Sequence, residues 1–433
     1  MGALEQKLST AVADAMPLAQ SVFDSLARDT ADPVGGVTRA SYGEGEQYAH
    51  QLLTKLAREL DLEVAVDQGG NLYMTLPGRD RKAGAWFVGS HLDSVPNGGN
   101  YDGAAGVVAG LAAIQAMQRA GIKPARDITV MGIRAEETGS WFSGAHGGHL
   151  GSRMALGLIR PDEFDIAIRL DSGRSLGEHM KECGFDPDTV RGKPPYLDPK
   201  RVRGYFELHI EQGPVLEHRE IAVGVVTSIR GNSRLRNPCC LGAYNHGGAT
   251  PQELRRDAVI ATAELIQAVD RKWKELSTAG RDLVFTFGKL YTDPKVHSLS
   301  KVPGEVHFSL DVRSGEPEVL AIMREFVLRK ADEIAASRNV RFELGKFAVT
   351  EPTVLDADLR RELHAGCEAL GLPTMDIASG GGHDAQEFMK VDIPAAMIFV
   401  RNSHGSHVAA ESMTLEDFEA GTRLLAWRLA RDA

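Results

Sequence analysis

The chain has 433 residues, too many for one ordinary hydrophobic core, so two domains are expected, one of them interrupted by the other. A formal net charge of −10 excludes a general nucleic-acid or anionic-membrane surface, because both require an excess of cationic side chains. The four cysteines, Cys183, Cys239, Cys240 and Cys367, form neither a zinc-finger spacing nor a disulfide framework and fit a reducing, cytoplasmic setting.

The first sixteen residues carry no basic region followed by an apolar core, and Gln6 stands where a myristoylation signal needs Ser or Thr. Neither a signal peptide nor a lipid anchor is expected, and the longest apolar stretch, 103–116, is too short and too rich in glycine to span a bilayer. Strand-like and helical patterns then alternate. Residues 47–60 read as an amphipathic helix, 62–66 and 71–76 as strands about the Gln68-Gly-Gly turn, and 85–89 as a short buried strand. A helix over 104–119 and a strand over 128–133 follow, and this alternation favours a sheet covered by helices on both faces. From 222 to 344 the theme repeats on a smaller scale, with strands at 222–229, 305–313 and 340–344 and helices at 257–276 and 318–337. This stretch reads as an inserted second domain.

The chemistry begins after the 85–88 strand, at Gly89-Ser-His-Leu-Asp-Ser-Val, which sets His91 and Asp93 at a strand's C-terminal end, where open α/β sheets build their sites. Asp102 follows in a glycine-rich turn. A histidine nitrogen with carboxylates suits zinc or a similar divalent ion, and Asp102 could give one oxygen to each of two ions about 3.5–4 Å apart. After the 128–133 strand comes Arg134-Ala-Glu-Glu, an adjacent carboxylate pair that is unfavourable unless a cation compensates it. One of Glu136 and Glu137 can be a ligand while the other stays free as a proton shuttle; the residues alone leave open which. Phe206-Glu-Leu-His-Ile-Glu alternates as a strand with His209 and Glu211 on one face, and His404 and His407 follow the 395–400 strand. Each of these taken singly has a bland reading, a satisfied turn histidine or a solvated acidic turn.

Together, and in this order, the motifs resemble the M20 metallopeptidase clan, and within it the amidase, hydantoinase and carbamoylase group, which includes N-carbamoyl-L-amino-acid hydrolases, β-ureidopropionases and allantoate amidohydrolases. The resemblance runs nearly end to end: Gly35-Gly-Val-Thr-Arg, the His91–Asp102 block, Glu136-Glu137, Glu207-Leu-His-Ile-Glu-Gln-Gly-Pro, Asn245-His-Gly-Gly-Ala-Thr-Pro with Arg255 and Asp257, Pro303-Gly-Glu-Val, Leu310-Asp-Val-Arg, Gly382-His-Asp-Ala and Gly405-Ser-His. His209 separates this group from ordinary peptidases of the clan, which usually carry a carboxylate there.

The resemblance implies a mixed α/β sheet covered by helices, like that of two-metal aminopeptidases. Its catalytic domain would be formed by residues 1–219 and 348–433, and an inserted α+β lid and dimerisation domain by 220–347. It implies two divalent ions, zinc or else manganese, cobalt or nickel. One would be held by His91, Asp102 and His209, the other by the shared Asp102 with Glu137 and His407. Glu136 would be the general base that takes a proton from the attacking water and hands it to the leaving nitrogen, and Asp93 would orient His91. His246, otherwise a surface turn histidine, would stabilise the oxyanion across a homodimer or on domain closure. Arg313, otherwise a strand-edge arginine in an ion pair, would grip the carboxylate of a small-molecule substrate. Gln212 and His383 would be further substrate-side positions.

Departures from the group's pattern fall around the substrate. Ser300 stands where relatives usually place Asn, Gln252 where Met is common, and Thr138-Gly-Ser-Trp puts Trp141 in place of an arginine with one extra residue. An altered pocket is therefore expected. An aminoacylase or dipeptidase of the same clan would share nearly every metal residue, though His209 speaks against it. A scaffold without activity would have lost Glu136, and a phosphoesterase would show Lys or Arg clustered near the metals.

Overall fold

The computed structural model describes residues 2–431. The chain forms two compact units. The first runs up to Thr227 and is completed by Leu355–Ile377 and the stretch from Gly382 onward; the second comprises Ser228–Val354 and Ala378–Gly381.

The first unit is built on a mixed sheet covered by helices, whose order among the described residues begins Glu63–Val66, Leu72–Leu76, Ile128–Ile133, Ala85–His91, Val202–Ile210, Ala395–Val400 and Val223–Ile229. The four strands from 128–133 to 395–400 are mutually parallel, and antiparallel strands flank them on either side. Strands 128–133 and 395–400 are buried at every position, which is why they read as continuous apolar runs without alternation. Parallel neighbours need a crossover, and the helix Ala104–Arg119 supplies it between 85–91 and 128–133. That helix is apolar on nearly all sides because it lies between the sheet and the helices Ala3–Ala13 and Leu415–Ala430. Gly106 makes the close approach possible, since a Cβ there would stand 2.3 Å from the carbonyl oxygen of Leu208.

In the second unit two four-stranded antiparallel sheets carry the helices Ala258–Thr278 and Pro317–Arg338. Asp257 caps the first helix by accepting the N–H groups of Val259 and Ile260. Pro317 opens the second, and Asn339 closes it in the left-handed conformation, φ 50°. The helices bury Leu265, Val269, Leu320, Met323 and Val327 with Leu235, Phe308, Leu310 and Val312 of the strands.

Three sequence expectations are corrected here. The second unit begins at 228 and not at 220, because Val223–Ile229 is hydrogen-bonded to 395–400 in the first unit's sheet. It extends to 354 and not 347, because Ala348–Thr350 pairs with Gly231–Leu235. The strand expected over 305–313 breaks at Ser309 into Glu305–Phe308 and Leu310–Ser314, which belong to different sheets. Trp141, expected to alter the pocket, is instead buried in a core cluster with Tyr42 and Leu150. Its indole N–H donates to the Ser94 carbonyl at 2.7 Å, and the Arg169 guanidinium lies over its ring.

Candidate metal centre

The parallel strands end side by side, and their C-terminal ends carry the chemistry: His91 closes 85–91, Arg134 to Glu137 follow 128–133, His209 lies near the end of 202–210, and His407 lies beyond 395–400. Two triplets have ligand atoms close enough to hold an ion, His91–Asp102–His209 and Asp102–Glu137–His407, and they share Asp102; a third, His91–Glu136–Glu137, overlaps both. All these side chains are buried except that of His407, which is 47% exposed.

The hydrogen bonding of the rings defines what the first triplet can hold. His91 Nδ1 faces the Asp93 carbonyl at 3.1 Å and its Oδ1 at 3.3 Å, so that nitrogen carries the proton. His209 Nδ1 donates to the Ile210 carbonyl at 2.9 Å, while its Nε2 accepts the N–H of Gly103 at 3.2 Å. Both Nε2 atoms therefore lie as acceptors beside Asp102 Oδ1, at 3.3 Å from His91 and 3.2 Å from His209, the latter's lone pair being shared with the Gly103 N–H, and that buried oxygen accepts no hydrogen bond. Three lone pairs at such distances repel unless a cation lies between them, and imidazole with carboxylate is a donor set that zinc and its neighbours accept.

The electrostatics agree. Burial by itself lowers an imidazole's pKa, yet Glu136 and Asp102 hold His91 well above its ordinary value, and Asp102 holds His209 up at about 9. Burial, with the charges of Asp102 and Glu136 beside it, pushes Glu137 up to about 7. A cluster with this appetite for positive charge fits a divalent ion.

Asp93 does more than orient His91. Its two oxygens accept the N–H groups of Glu136 and Glu137, each at 3.1 Å, and the Ser41 hydroxyl at 2.6 Å, so one carboxylate fixes both the ring and the paired-glutamate turn. Glu136 Oε2 lies 3.8 Å from His91 Nε2, on the metal-ligand side. Gln212, in the left-handed region at φ 64°, donates through Nε2 to Asp102 Oδ2 at 2.8 Å. His404 stands apart, exposed and bonded to Ser412.

Two expected substrate-side positions differ in their surroundings. His383 is buried, its ring edge-on to that of His209 with centroids 4.5 Å apart, because the 382–384 turn packs beneath the sheet's end. Arg313, in the second unit, spends Nε and Nη2 on Asp311 and one Nη1 proton on the Gly380 carbonyl. One N–H on each terminal nitrogen remains, which is the two-pronged end that a carboxylate engages. Arg313 lines a cavity of about 670 Å³ with Arg234, Arg236 and Lys289. His246 and Ser300 are neighbours: Asn245–His246 pairs with Lys301–Val302, and the Gly247 N–H donates to the Ser300 carbonyl at 2.6 Å.

Sequence reasoning missed Glu411, which accepts the N–H groups of Tyr101 and Asp102 at 3.0 and 3.2 Å and the Ser406 hydroxyl. It also missed His149, whose Nε2 lies 3.2 Å from Glu136 Oε1. The one local signal for His149 was its place at the end of a glycine-rich turn, 144–149. Glu411 had no local signal.

Gly103 offers a direct test of this packing. Its φ is +67°, and a Cβ would stand 2.4 Å from the His91 ring. Gly103→Ala is expected to fold, as circular dichroism would show, but to hold less than about half the metal of the parent, because the ring must leave its place. Undiminished metal in the folded variant would mean that His91 is not a ligand in this geometry.

A mixed sheet whose parallel strand ends gather histidines and carboxylates into triplets able to hold a metal is the architecture of a metal-dependent hydrolase. Residues 87–430 match the model of peptidase family M20/M25/M40, and the chain belongs to that family. It is 36% identical over 403 residues to an N-carbamoyl-L-amino acid amidohydrolase of Geobacillus stearothermophilus, covering 92% of this chain and 95% of that one. It is 34% identical over 405 residues to the allantoate amidohydrolase of Escherichia coli K12, covering 92% and 93%. Among solved structures, a hydantoinase/carbamoylase-family amidase of Burkholderia multivorans superposes with a TM-score of 0.86 at 30% identity, covering 96% of this chain and 98% of that one.

Proposed function

We propose that this hydrolase of non-peptide carbon–nitrogen bonds cleaves the carbamoyl C–N bond of an N-carbamoyl amino acid or a closely related small ureido acid. The observation that carries this reading is His209 facing Asp102 Oδ1 together with His91, in a chain whose relatives are named for carbamoyl and allantoate hydrolysis. Two divalent ions are assigned, zinc or else manganese, cobalt or nickel, one to His91, Asp102 and His209 and one to Asp102, Glu137 and His407. Bound there, they supply the positive charge that polarises the scissile carbonyl and acidifies the attacking water.

Glu136 takes the water's proton on Oε2 and gives it to the leaving nitrogen, while Asp93 keeps both His91 and the Glu136 turn in register. His246 donates to the oxyanion. Its Nδ1 accepts the N–H groups of Gly248 and Ala249 at 3.2 Å each, which puts the ring's proton on Nε2 and makes that nitrogen a neutral donor. Arg313 engages the substrate's carboxylate, and Arg236 and Lys289 beside it support an anionic substrate, while Arg234 pairs with Asp311 of the same cavity.

A homodimer through the second unit completes the reading. Leu290 and Tyr291 form a half-exposed edge strand, and Leu299 is fully exposed nearby in sequence, a pattern that favours pairing with a second copy. The four free cysteines support a reducing, cytoplasmic location, and no helix of the described residues is long and apolar enough to cross a membrane.

The test is release of the free amino product from a panel of N-carbamoyl, ureido, N-acyl and dipeptide substrates, with ammonia measured as well for the carbamoyl and ureido members, run on enzyme stripped by chelator and reloaded with each metal. Carbamoyl or ureido acids are expected to turn over about 10²-fold better than N-acyl or dipeptide substrates, with activity lost on chelation and close to two ions per chain restored. A preference for N-acyl or dipeptide substrates would reassign the chain within its family. A single ion in fully active enzyme would contradict the shared role of Asp102.

A further inference from the structure

Behind Glu136 lies a second carboxylate that no step above uses. His149 stands between the two: its Nε2 is 3.2 Å from Glu136 Oε1, and its Nδ1 is 3.0 Å from Glu387 Oε1. His149 and Glu387 are both buried, and Lys390 Nζ and Gln386 Nε2 each donate to Glu387 Oε1 at 2.8 Å. A carboxylate braced in this way stays an acceptor and takes the His149 Nδ1 proton; since Nε2 also faces a carboxylate oxygen, the ring carries a proton on both nitrogens and Nε2 donates to Glu136 Oε1.

The site is built around this ring. His149 sits in the left-handed region, φ 57°, which residues with side chains seldom adopt. Its own N–H donates to the Glu136 carbonyl at 3.2 Å, so backbone and side chain both grip the same glutamate. The next two N–H groups, of Leu150 and Gly151, go to the carbonyls of Ala135 and Arg134, each at 3.0 Å. Space for the ring is made at Gly382, where a Cβ would stand 2.8 Å from His149 Nε2.

The consequence is a division of labour between the two oxygens of Glu136. Oε1 faces His149, and Oε2 faces the ligand cluster, 3.8 Å from His91 Nε2. We propose that His149, braced by Glu387, is a positioning residue that pins Oε1 of Glu136, so that Oε2 alone exchanges the proton of the reaction. This rests on the reading of Glu136 as the general base. The fixed hydrogen bond removes the rotamers in which the carboxylate swings from the substrate, and it stabilises the anionic form that must receive the proton.

The experiment compares His149→Phe, His149→Gln and Glu387→Gln, each alone and in the Glu136→Gln background, with kcat, KM and metal content measured for all. His149→Phe is expected to lower kcat about 10–100-fold with KM within about 2-fold and metal content unchanged. His149→Gln keeps an N–H donor facing Oε1 and is expected to recover most of that loss, while Glu387→Gln lowers kcat by about 3–10-fold. In the Glu136→Gln background none of the three is expected to lower kcat further, because each acts through that carboxylate.

Parent-like kcat in His149→Phe overturns the proposal, as does an equal loss in both backgrounds, or a loss of metal that His149→Gln fails to rescue. If His149→Phe does not fold, Glu387→Gln, which leaves the ring in place, decides alone: parent-like kcat overturns the proposal and a loss confined to the Glu136 background supports it. A fully active Glu136→Gln overturns the base assignment and this inference with it. An inactive Glu136→Gln beside an unaffected His149→Phe overturns this inference only.

Discussion

Glu136→Gln is expected to keep the metal centre and lose about 10²-fold or more in kcat, because it removes the proton acceptor and leaves every assigned ligand in place. The substitution is nearly isosteric. The turn that carries it is held from outside by Asp93, which accepts both backbone N–H groups, so the fold of the turn does not depend on the side chain's charge. Glu137→Gln separates the two neighbours: it should lower metal content together with kcat, since Glu137 is assigned to an ion with His407, 3.1 Å away. Elemental analysis and steady-state kinetics on both variants decide the matter. An unchanged kcat in Glu136→Gln would mean that Glu137 or another group takes the proton.

His246→Ala is expected to lower kcat by about 10²–10³-fold, the cost of removing one preorganised oxyanion donor, with a much smaller change in KM. The expectation draws on the tautomer, since two backbone N–H groups occupy Nδ1 and leave Nε2 as the donor. Arg313→Ala should do the opposite, raising KM for carboxylate substrates, because that contact is made in ground and transition states alike. If His246 serves the partner's site, mixing inactive His246→Ala with inactive Glu136→Gln chains restores part of the activity, since one site of each mixed dimer then holds both a base and a donor. No recovery in mixtures shown to exchange subunits would place His246 in its own chain's site or outside catalysis.

The sequence by itself determined the central strands and the residues at their ends. The strands 128–133 and 395–400 and the helix 104–119 are legible because both faces are covered, which leaves unbroken apolar runs with sharp polar ends. His91, Asp102, Glu136, Glu137, His209 and His407 were legible because each lies in or just after such a run, in an order that the family shares. The strand boundary at Ser309 and the allegiance of 223–229 were not, since an apolar alternating run reads the same in either sheet.

What only the tertiary structure decided is how these residues serve one another. Which nitrogen of His91 and of His209 keeps its proton depends on the Asp93 and Ile210 carbonyls being within reach, and only the fold brings an acceptor there in the right direction. The same holds for the environment of the base. Glu136 and Glu387 are 251 positions apart, and neither carries a mark in the sequence that points to His149. A hydrogen bond is specified by position to within a few tenths of an ångström, and sequence spacing fixes position only within a single helix or strand. Across elements, packing fixes it, as Gly382 does by leaving room for the His149 ring.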